Sequence, residues 1–215
     1  VTQRRDALRG RRSQGRISVA LLTGCGQPLV EGLTELADGA FSVIPLHQAW
    51  QPLRADECAA LGVAERFVQD NHSLSAAVGT LRGLHFQAPP HAQGKLVRCG
   101  RGRLLDVAVD VRRGSPSYGR WVAEELSFEN GRQLWIPAGF LHGFVTREPD
   151  TEICYKCTDH YAPDCDGGVA WDSVGIDWGL DGAPVLSAKD AAAPALADFD
   201  SPFSYDGPFD YEAKL

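Results

Sequence analysis

Residues 95–112 read KLVRCGRGRLLDVAVDVR, and this stretch indicates the fold class of the chain. Two runs rich in branched apolar residues flank a glycine-containing turn at Gly100–Gly102. The second run alternates Leu105, Val107, Val109 and Val111 with Leu104, Asp106, Ala108 and Asp110. A period of two places these sets on opposite faces, so both runs are predicted to be strands.

Comparable short runs recur as far as residue 157, separated by Gly, Pro, Asn and Ser. They read RWVAEELSF (120–128), RQLWIPAGF (132–140), HGFVTRE (142–148) and TEICYKCTD (151–159). Many short strands without intervening helices favour a sandwich or barrel over a parallel sheet. In WIPAGFLHGF (135–144), a Pro137–Gly139 turn precedes His142, which suits a cupin-type jelly roll. The predicted fold class is all-β: a double-stranded β-helix, or jelly-roll barrel, with a few short helices.

Length and composition limit the classes to which the protein can belong. Its 215 residues, 44% of them hydrophobic, suit one domain with a full core plus tails. The 21 basic and 28 acidic residues give a net charge of -7, which argues against non-specific nucleic-acid binding. No apolar run approaches the roughly 20 residues that a membrane helix needs. The six scattered cysteines predict reduced thiols and a cytoplasmic location.

Four segments are predicted along the chain. Residues 1–27 carry six arginines and one aspartate, which favours a disordered basic tail or an over-extended translation start over a signal peptide. Residues 28–66 form a divergent segment with one helix over 54–64, and residues 67–190 form the barrel domain. Residues 191–215 are expected to be an acidic surface tail, with a short helix near 188–197.

The stretch GTLRGLHFQ (79–87) places two polar side chains in a strand that otherwise reads as buried. On a regular strand Arg82 shares a face with Leu84 and Phe86, whereas His85 faces the opposite side. If Arg82 serves the same site as His85, it must do so from the barrel rim, or the strand must twist or bulge near Gly83.

Proton transfer next to a carbonyl needs a base, a group that tunes it, an opposing acid and a cation for the developing oxyanion. His85 can be the base, since imidazole titrates near neutrality, and Asp172 in AWDS can orient it. Tyr155 can serve as the acid, and Lys95 and Arg82 are cations in apolar strands. A solvent-facing side chain is the simpler interpretation of each residue alone; their presence on neighbouring strands favours a site.

A metal site is not predicted, because a divalent ion requires about three protein ligands held close together. The strand of His85 offers only Gln87 at its next position on the same face, and His91 lies beyond two prolines. A metal-dependent cupin enzyme using His85, His91 and His142 is the alternative.

The stretch EICYKCTDHYAPDC (152–165) offers zinc binding as a rival interpretation. Cys154, Cys157, His160 and Cys165 have spacings that zinc could use. Cys154 and Cys157 are an odd number of residues apart and therefore face opposite sides of a regular strand, which argues against zinc.

Six ordered stretches together resemble the dTDP-4-dehydrorhamnose 3,5-epimerases, which are metal-free cupins. They are FVQDNHS (67–73), GTLRGLHFQAPPHAQGKLVR (79–98), DVAVDVRRGSPSYGRW (106–121), QLWIPAGFLHGF (133–144), YKCTDHYAP (155–163) and VAWDSVGIDW (169–178). The resemblance runs from about residue 67 to residue 190. It implies epimerisation at C3 and C5 of dTDP-4-dehydro-6-deoxy-D-glucose, no cofactor, and a homodimer.

The resemblance also implies a role for each matching residue. The family's general base, its aspartate partner, its acid and its enolate-binding lysine correspond to His85, Asp172, Tyr155 and Lys95. His142 matches a histidine close to the sugar. The residues that match those holding the nucleotide and its diphosphate are Gln69, Asn71, Arg82 and Tyr161.

The N-terminal part departs from the family pattern. The family has a D-x-R-G-x-F-x-E-like stretch whose arginine reaches the diphosphate of a neighbouring subunit's substrate; here Asp38 holds the arginine position and Val43 the glutamate position. Weaker nucleotide binding, a different nucleotide, or a frame error within residues 1–50 would each account for this. A single-carbon epimerase on another nucleotide-ketosugar and a non-catalytic sugar-nucleotide binder also stay open.

Overall fold

The computed structural model describes residues 20–21, 42–45, 58–59 and 63–207. The strands named within these residues are β1 (Ala20–Leu21), β2 (Ser42–Pro45), β3 (Gln69–Ser75), β4 (Leu81–Gln87), β5 (Lys95–Arg101), β6 (Arg103–Asp110), β7 (Trp121–Ser127), β8 (Arg132–Ile136), β9 (Phe140–Thr146), β10 (Thr151–Cys157) and β11 (Asp166–Gly168). In this described part of the chain, helical structure is limited to α1 (Ala188–Ala191), 3-10 turns at Pro163–Cys165 and Leu196–Asp198, and residues 58–59. The all-β jelly-roll prediction is confirmed.

The strands form two sheets that face each other. The first has the order β1-β2-β8-β5-β10-β3 and the second has the order β11-β4-β9-β6-β7. The predicted strands of 95–112 are β5 and β6, joined at Gly102 with φ +72°, but they belong to different sheets. This turn therefore carries the chain from one wall of the barrel to the other.

The barrel interior is apolar at its centre, with a buried acidic side chain on β6. Val97 and Ile153 of the first sheet pack with Leu104 and Phe144 of the second. The face of β6 that carries Leu104 also turns Asp106 inward, where it is fully buried. A buried carboxylate needs a hydrogen-bonding partner, and the partner of Asp106 is His142.

The outer face of the second sheet is covered by the chain that follows β11. Val107 and Val145 of the sheet pack with Trp178 and Phe203, and Phe203 is only 7% exposed. The backbone N–H of Arg113 donates to the carbonyl of Phe203 at 2.9 Å. The surface tail expected from residue 191 is therefore part of the packing as far as Phe203, because the apolar sheet face must be shielded from water. The short helix expected near 188–197 is α1.

On the first sheet, Cys58 and Val63 pack against Leu96 and Trp135. Residues 58–59 are helical, within the predicted helix 54–64, and the rest of that helix up to 62 lies outside the described residues. The basic tail and Asp38 also lie outside them, as does the side chain of Val43. In the described ranges, no helix has the length and apolar character needed to cross a membrane.

Strand β4 contains a bulge between Arg82 and His85, which is one of the arrangements that the polar pattern left open. Arg82 pairs with Phe144 and His85 pairs with His142, so three steps along β4 match two along β9. The extra residue returns Arg82 and His85 to the same side of the sheet. Gly83 makes this possible: its φ is +119°, and a Cβ there would lie 2.6 Å from the Cα of Gly143.

Candidate active site

A cavity of about 180 Å³ opens between the two sheets. Pockets for drug-sized ligands usually enclose about 300–1,000 Å³, so this one fits a single ring and a longer ligand must extend outside it. Its lining consists of Gln69, Asn71, His85, Phe86, Gln87, Gln93, Lys95, Tyr155, Cys157, Tyr161, Asp166 and Lys189. Most predicted site residues are thus brought together, and the exceptions are Asp172, Arg82 and His142.

The wall formed by β4 carries a histidine–aspartate pair. The Nε2 of His85 lies 2.5 Å from the Oδ1 of Asp190, whose side chain is fully buried. The prediction that Asp172 pairs with His85 is wrong, because Asp172 lies in an exposed turn after β11. The carboxylate behind the imidazole comes instead from α1.

Burial lowers the pKa of His85; Asp190 opposes this effect, and the nearby charges of Lys95 and Lys189 add to it. Burial alone would raise the pKa of Asp190, but hydrogen bonds from Ser187 and His85 outweigh it and hold that pKa below its usual range. The carboxylate is therefore ionised and can only accept, so Nε2 of His85 carries the proton. Nδ1 is left with its lone pair, which is the form a general base needs.

The opposite wall, on the first sheet, carries the candidate acid and the candidate cation. Tyr155 lies on β10 and Lys95 on β5, and the Lys95 ammonium is 6.0 Å from the centre of the Tyr155 ring. Burial raises the pKa of Tyr155, which keeps its phenol protonated. Burial lowers the pKa of Lys95, although Cys157, Asp166 and Asp106 counteract it. A ring bound between the walls would meet a base on one side and an acid on the other.

A second histidine–aspartate pair lies deeper in the barrel. His142 Nε2 is 2.7 Å from Asp106 Oδ1, and the His142 ring meets the Tyr155 ring edge-on at 6.3 Å between centres. His142 is 6% exposed and does not line the cavity. Burial raises the pKa of Asp106, and His142 and Lys95 counteract the rise.

Polar side chains at the mouth are held by a hydrogen-bond network. Gln69 donates to Asn71 at 3.0 Å, and its carbonyl accepts from the backbone of Tyr161 at 2.8 Å. The Tyr161 hydroxyl donates to Asp166 at 3.1 Å, and Lys189 pairs with the same carboxylate oxygen. The mouth thus presents amide, phenol and ammonium groups to a ligand.

Arg82 is placed beside the cavity and not in its lining. The bulge puts it on the side of the sheet that His85 occupies, but its guanidinium donates to its own neighbour's carbonyl, Leu81 O, at 3.1 Å. Of the alternatives of a rim position, a twist or a bulge near Gly83, the structure shows the bulge, whereas contact of Arg82 with a ligand stays a prediction.

Sequence reasoning missed Asp190, Lys189 and Asp166. The first two lie in SAKD (187–190), where Ser187 is the N-cap of α1 and accepts from the backbone N–H of Asp190 at 3.1 Å. A serine followed three residues later by an acid is the pattern of a capping box, so this signal was present in the sequence. What could not be read was that the turn folds back onto β4.

The proposed zinc ligands do not assemble. Cys154 and Cys157 face opposite sides of β10, and Cys157 accepts from Asn71 Nδ2 at 3.4 Å. His85, His91 and His142 each face a different aspartate. Among the residues that the structure describes, no three histidine, cysteine or acidic side chains form a ligand cluster.

Known epimerases resemble this chain both in sequence and in fold. A dTDP-4-dehydrorhamnose 3,5-epimerase of Sinorhizobium fredii is 59% identical over 140 residues, which is 64% of this chain and 72% of the relative. An epimerase structure from Legionella pneumophila, in complex with dTDP-4-keto-L-rhamnose, superposes with a TM-score of 0.74 at 38% identity, covering 82% of this chain and 99% of that one. One from Bacillus anthracis, with TDP and PPi bound, gives 0.65 at 45% identity over 66% and 82%.

The conserved sequence profile of one family covers most of the described barrel. The match extends over residues 48–198, and so includes both walls of the cavity and the α1 turn. The chain therefore belongs to the dTDP-4-dehydrorhamnose 3,5-epimerase family.

Proposed function

We propose that the protein epimerises C3 and C5 of dTDP-4-dehydro-6-deoxy-D-glucose to give dTDP-4-dehydro-L-rhamnose. One observation carries the proposal: the His85–Asp190 pair and Tyr155 occupy opposite walls of one ring-sized cavity, with Lys95 beside Tyr155. Inversion of a carbon needs this arrangement, since the proton must leave from one face and return to the other. The family to which the chain belongs supplies the substrate class.

The 4-keto group makes the hydrogens on C3 and C5 acidic. Nδ1 of His85 takes one of them, and the negative charge moves to the ketone oxygen, where the Lys95 ammonium stabilises it. Preorganised charge of this kind contributes several kcal/mol to such reactions. Tyr155 then donates a proton to the opposite face of the carbon. His85 then releases its proton to solvent and Tyr155 regains one from solvent, after which the same sequence follows at the second carbon. Proton transfer by each group contributes roughly 10²–10⁴-fold in rate.

The mouth of the cavity suits the part of the substrate that lies outside the ring pocket. Gln69, Asn71 and Tyr161 offer hydrogen-bonding groups for the nucleotide, and Arg82 is the nearby cation proposed for the diphosphate. His142, packed against Tyr155, supports the wall close to the sugar. The contacts to the nucleotide and diphosphate are expected to affect KM more than kcat, because they lie at the mouth of the cavity and away from the reacting carbons.

Deuterium exchange tests the proposal directly. The protein is incubated with dTDP-4-dehydro-6-deoxy-D-glucose in deuterated water, and label at C3 and C5 is read by NMR. We expect label at both carbons with wild type and at neither with His85→Ala. Absence of label with wild type would refute the proposal, and label at one carbon only would replace it with a single-carbon epimerase. Binding of the nucleotide-sugar in calorimetry without exchange would indicate a non-catalytic binder.

We also propose that the enzyme works as a homodimer, as the family resemblance implies, and that it is cytoplasmic, as its scattered cysteines predict. Within the described residues β3 pairs only with β10 and ends the first sheet, so one of its edges is available to another chain. Sedimentation equilibrium tests the dimer: a mass of one chain at micromolar concentration would contradict it.

A further inference from the structure

Ser187 links the α1 turn to the base pair of the active site. Its hydroxyl donates to Oδ2 of Asp190 at 2.6 Å and accepts from the backbone N–H of Asp190 at 3.1 Å. The other carboxylate oxygen faces Nε2 of His85 and the backbone N–H of Gly83, at 2.5 and 3.4 Å. Every oxygen of this buried carboxylate therefore has a donor, and Ser187 supplies the one for Oδ2.

The segment before Ser187 is attached to the strand that carries His85. The backbone N–H of Val185 donates to Gly79 O at 2.9 Å, and Leu81 N donates to Val185 O at 3.0 Å. This bridge pairs Val185 with Thr80, just before β4 begins and five residues before His85. Because α1 is a single turn of four residues, it has little stability of its own, and its geometry depends on the cap and the bridge.

We infer that Ser187 is a positioning residue of the proton-transfer machinery, which orients Asp190 and sets how strongly that carboxylate holds the His85 imidazolium. The inference rests on the proposed function only for its effect on turnover. A hydrogen bond to a carboxylate disperses its charge and makes it a weaker acceptor. Without the Ser187 hydroxyl, Oδ2 loses its buried donor, and Asp190 attracts a proton on His85 more strongly.

Other titratable groups surround His85 and also influence its protonation. They are Lys189 on α1, Lys95 on β5, Tyr155 and Cys157 on β10, Asp166 on β11 and His142 on β9. None of them bonds to Ser187, so a change at Ser187 reaches His85 through Asp190.

The test compares Ser187→Ala with Ser187→Thr, which keeps a hydroxyl, and with Ser173→Ala as the control. Ser173 also caps a turn of the same covering segment, donating to Ala170 O at 2.8 Å and accepting from Leu196 N at 2.9 Å, away from His85. The first measurement is an NMR titration of the His85 ring, which needs no turnover. We expect the titration midpoint to rise by about half a unit or more in Ser187→Ala and to stay in place in the other two variants.

The second measurement is the pH profile of epimerisation. We expect kcat of Ser187→Ala to fall about tenfold with KM nearly unchanged, and the acid limb of kcat/KM to move to higher pH, because a proton bound more tightly must be lost before catalysis. An unchanged His85 midpoint in Ser187→Ala overturns the inference, even if the variant melts at lower temperature. Equal defects in Ser187→Ala and Ser187→Thr also overturn it. If wild type catalyses no exchange, the proposed function fails while the titration still decides the role of Ser187.

Discussion

His85 and His142 lie directly opposite each other on neighbouring strands, and each faces its own buried aspartate through Nε2. The two pairs differ in access: the His85 side chain is 29% exposed and lines the cavity, whereas that of His142 is 8% exposed and lies behind it. A base must reach its substrate, so the His85–Asp190 pair can exchange protons with a bound sugar and the His142–Asp106 pair supports the wall.

Asp190 and Asp172 provide a matched pair of substitutions. Asp190→Asn removes the charge behind His85 and offers an amide that can favour the wrong tautomer, so kcat should fall by about 10²–10⁴-fold. Asp172→Asn alters an exposed carboxylate and should leave kcat within about twofold. Steady-state rates measure both. The assignment of Asp190 would be contradicted by a large loss in Asp172→Asn together with a small loss in Asp190→Asn.

Tyr155→Phe separates proton removal from inversion. His85 still takes a proton and can return it to the same face, so solvent deuterium should enter the recovered substrate with its configuration retained. Formation of the epimer should fall by about 10²-fold or more, because the opposite wall lacks its acid. Mass spectrometry and NMR of recovered sugar report the two quantities. Loss of deuterium uptake as complete as in His85→Ala would show that Tyr155 does not act as a separate acid.

The pH dependence follows from the direction of the His85 shift. Burial lowers the pKa of His85 below its ordinary value near 6.5, so the base stays neutral at pH 6.5 and kcat/KM should lose half its value only at lower pH. Since the unfolded chain binds this proton at higher pH than the folded one, the free energy of unfolding should also decline as pH falls below 6.5. A kinetic midpoint above 6.5 would contradict the assignment.

Lys189→Ala tests whether the charge of Lys189 contributes to the lowered pKa of His85. Removing a cation that lowers the pKa of His85 should move the acid limb to higher pH. Lys156→Ala is the control, since Lys156 pairs with exposed Asp70 outside the cavity and should leave the limb in place. Equal shifts in the two variants would mean that general surface charge, and not Lys189, acts on the base.

Local alternation predicts the barrel, whereas much of the cavity lining is predicted by the resemblance to the family's motifs. Alternation along β6 and β10 identifies strands, and the motifs identify His85, Tyr155 and Lys95 as site residues. The structure places them on facing sheets, His85 on β4 and the other two on β10 and β5. Asp190 was missed because its position depends on a long-range return of the chain, 105 residues after His85, which no local period records. The resemblance assigns the pairing role to Asp172, next to a tryptophan in AWDS, but the chain between Trp171 and Trp178 covers the outer sheet face.

Gly83 is where the fold and the site depend on one residue, and substituting it tests that dependence. Gly83→Ala places a Cβ 2.6 Å from Gly143 Cα and 2.7 Å from His142 O, at a φ of +119° that disfavours alanine. The backbone and steric terms together should lower the free energy of unfolding by about 2–5 kcal/mol. Denaturant titration measures this.

Two control substitutions separate the cost of the positive φ at Gly83 from the cost of the steric clash with β9. Gly114→Ala has a positive φ of +84° and open space around the Cβ, so only the backbone term of about 1–2 kcal/mol applies. Gly182→Ala has open space and no positive φ, and should change stability by less than about 0.5 kcal/mol. If Gly83→Ala loses no more stability than Gly114→Ala, contact with β9 does not constrain the bulge.

Because β9 carries His142 and β4 carries His85, relief of the clash must displace one of these two strands. Gly83→Ala protein that remains folded should therefore also lose kcat, while Gly114→Ala keeps it.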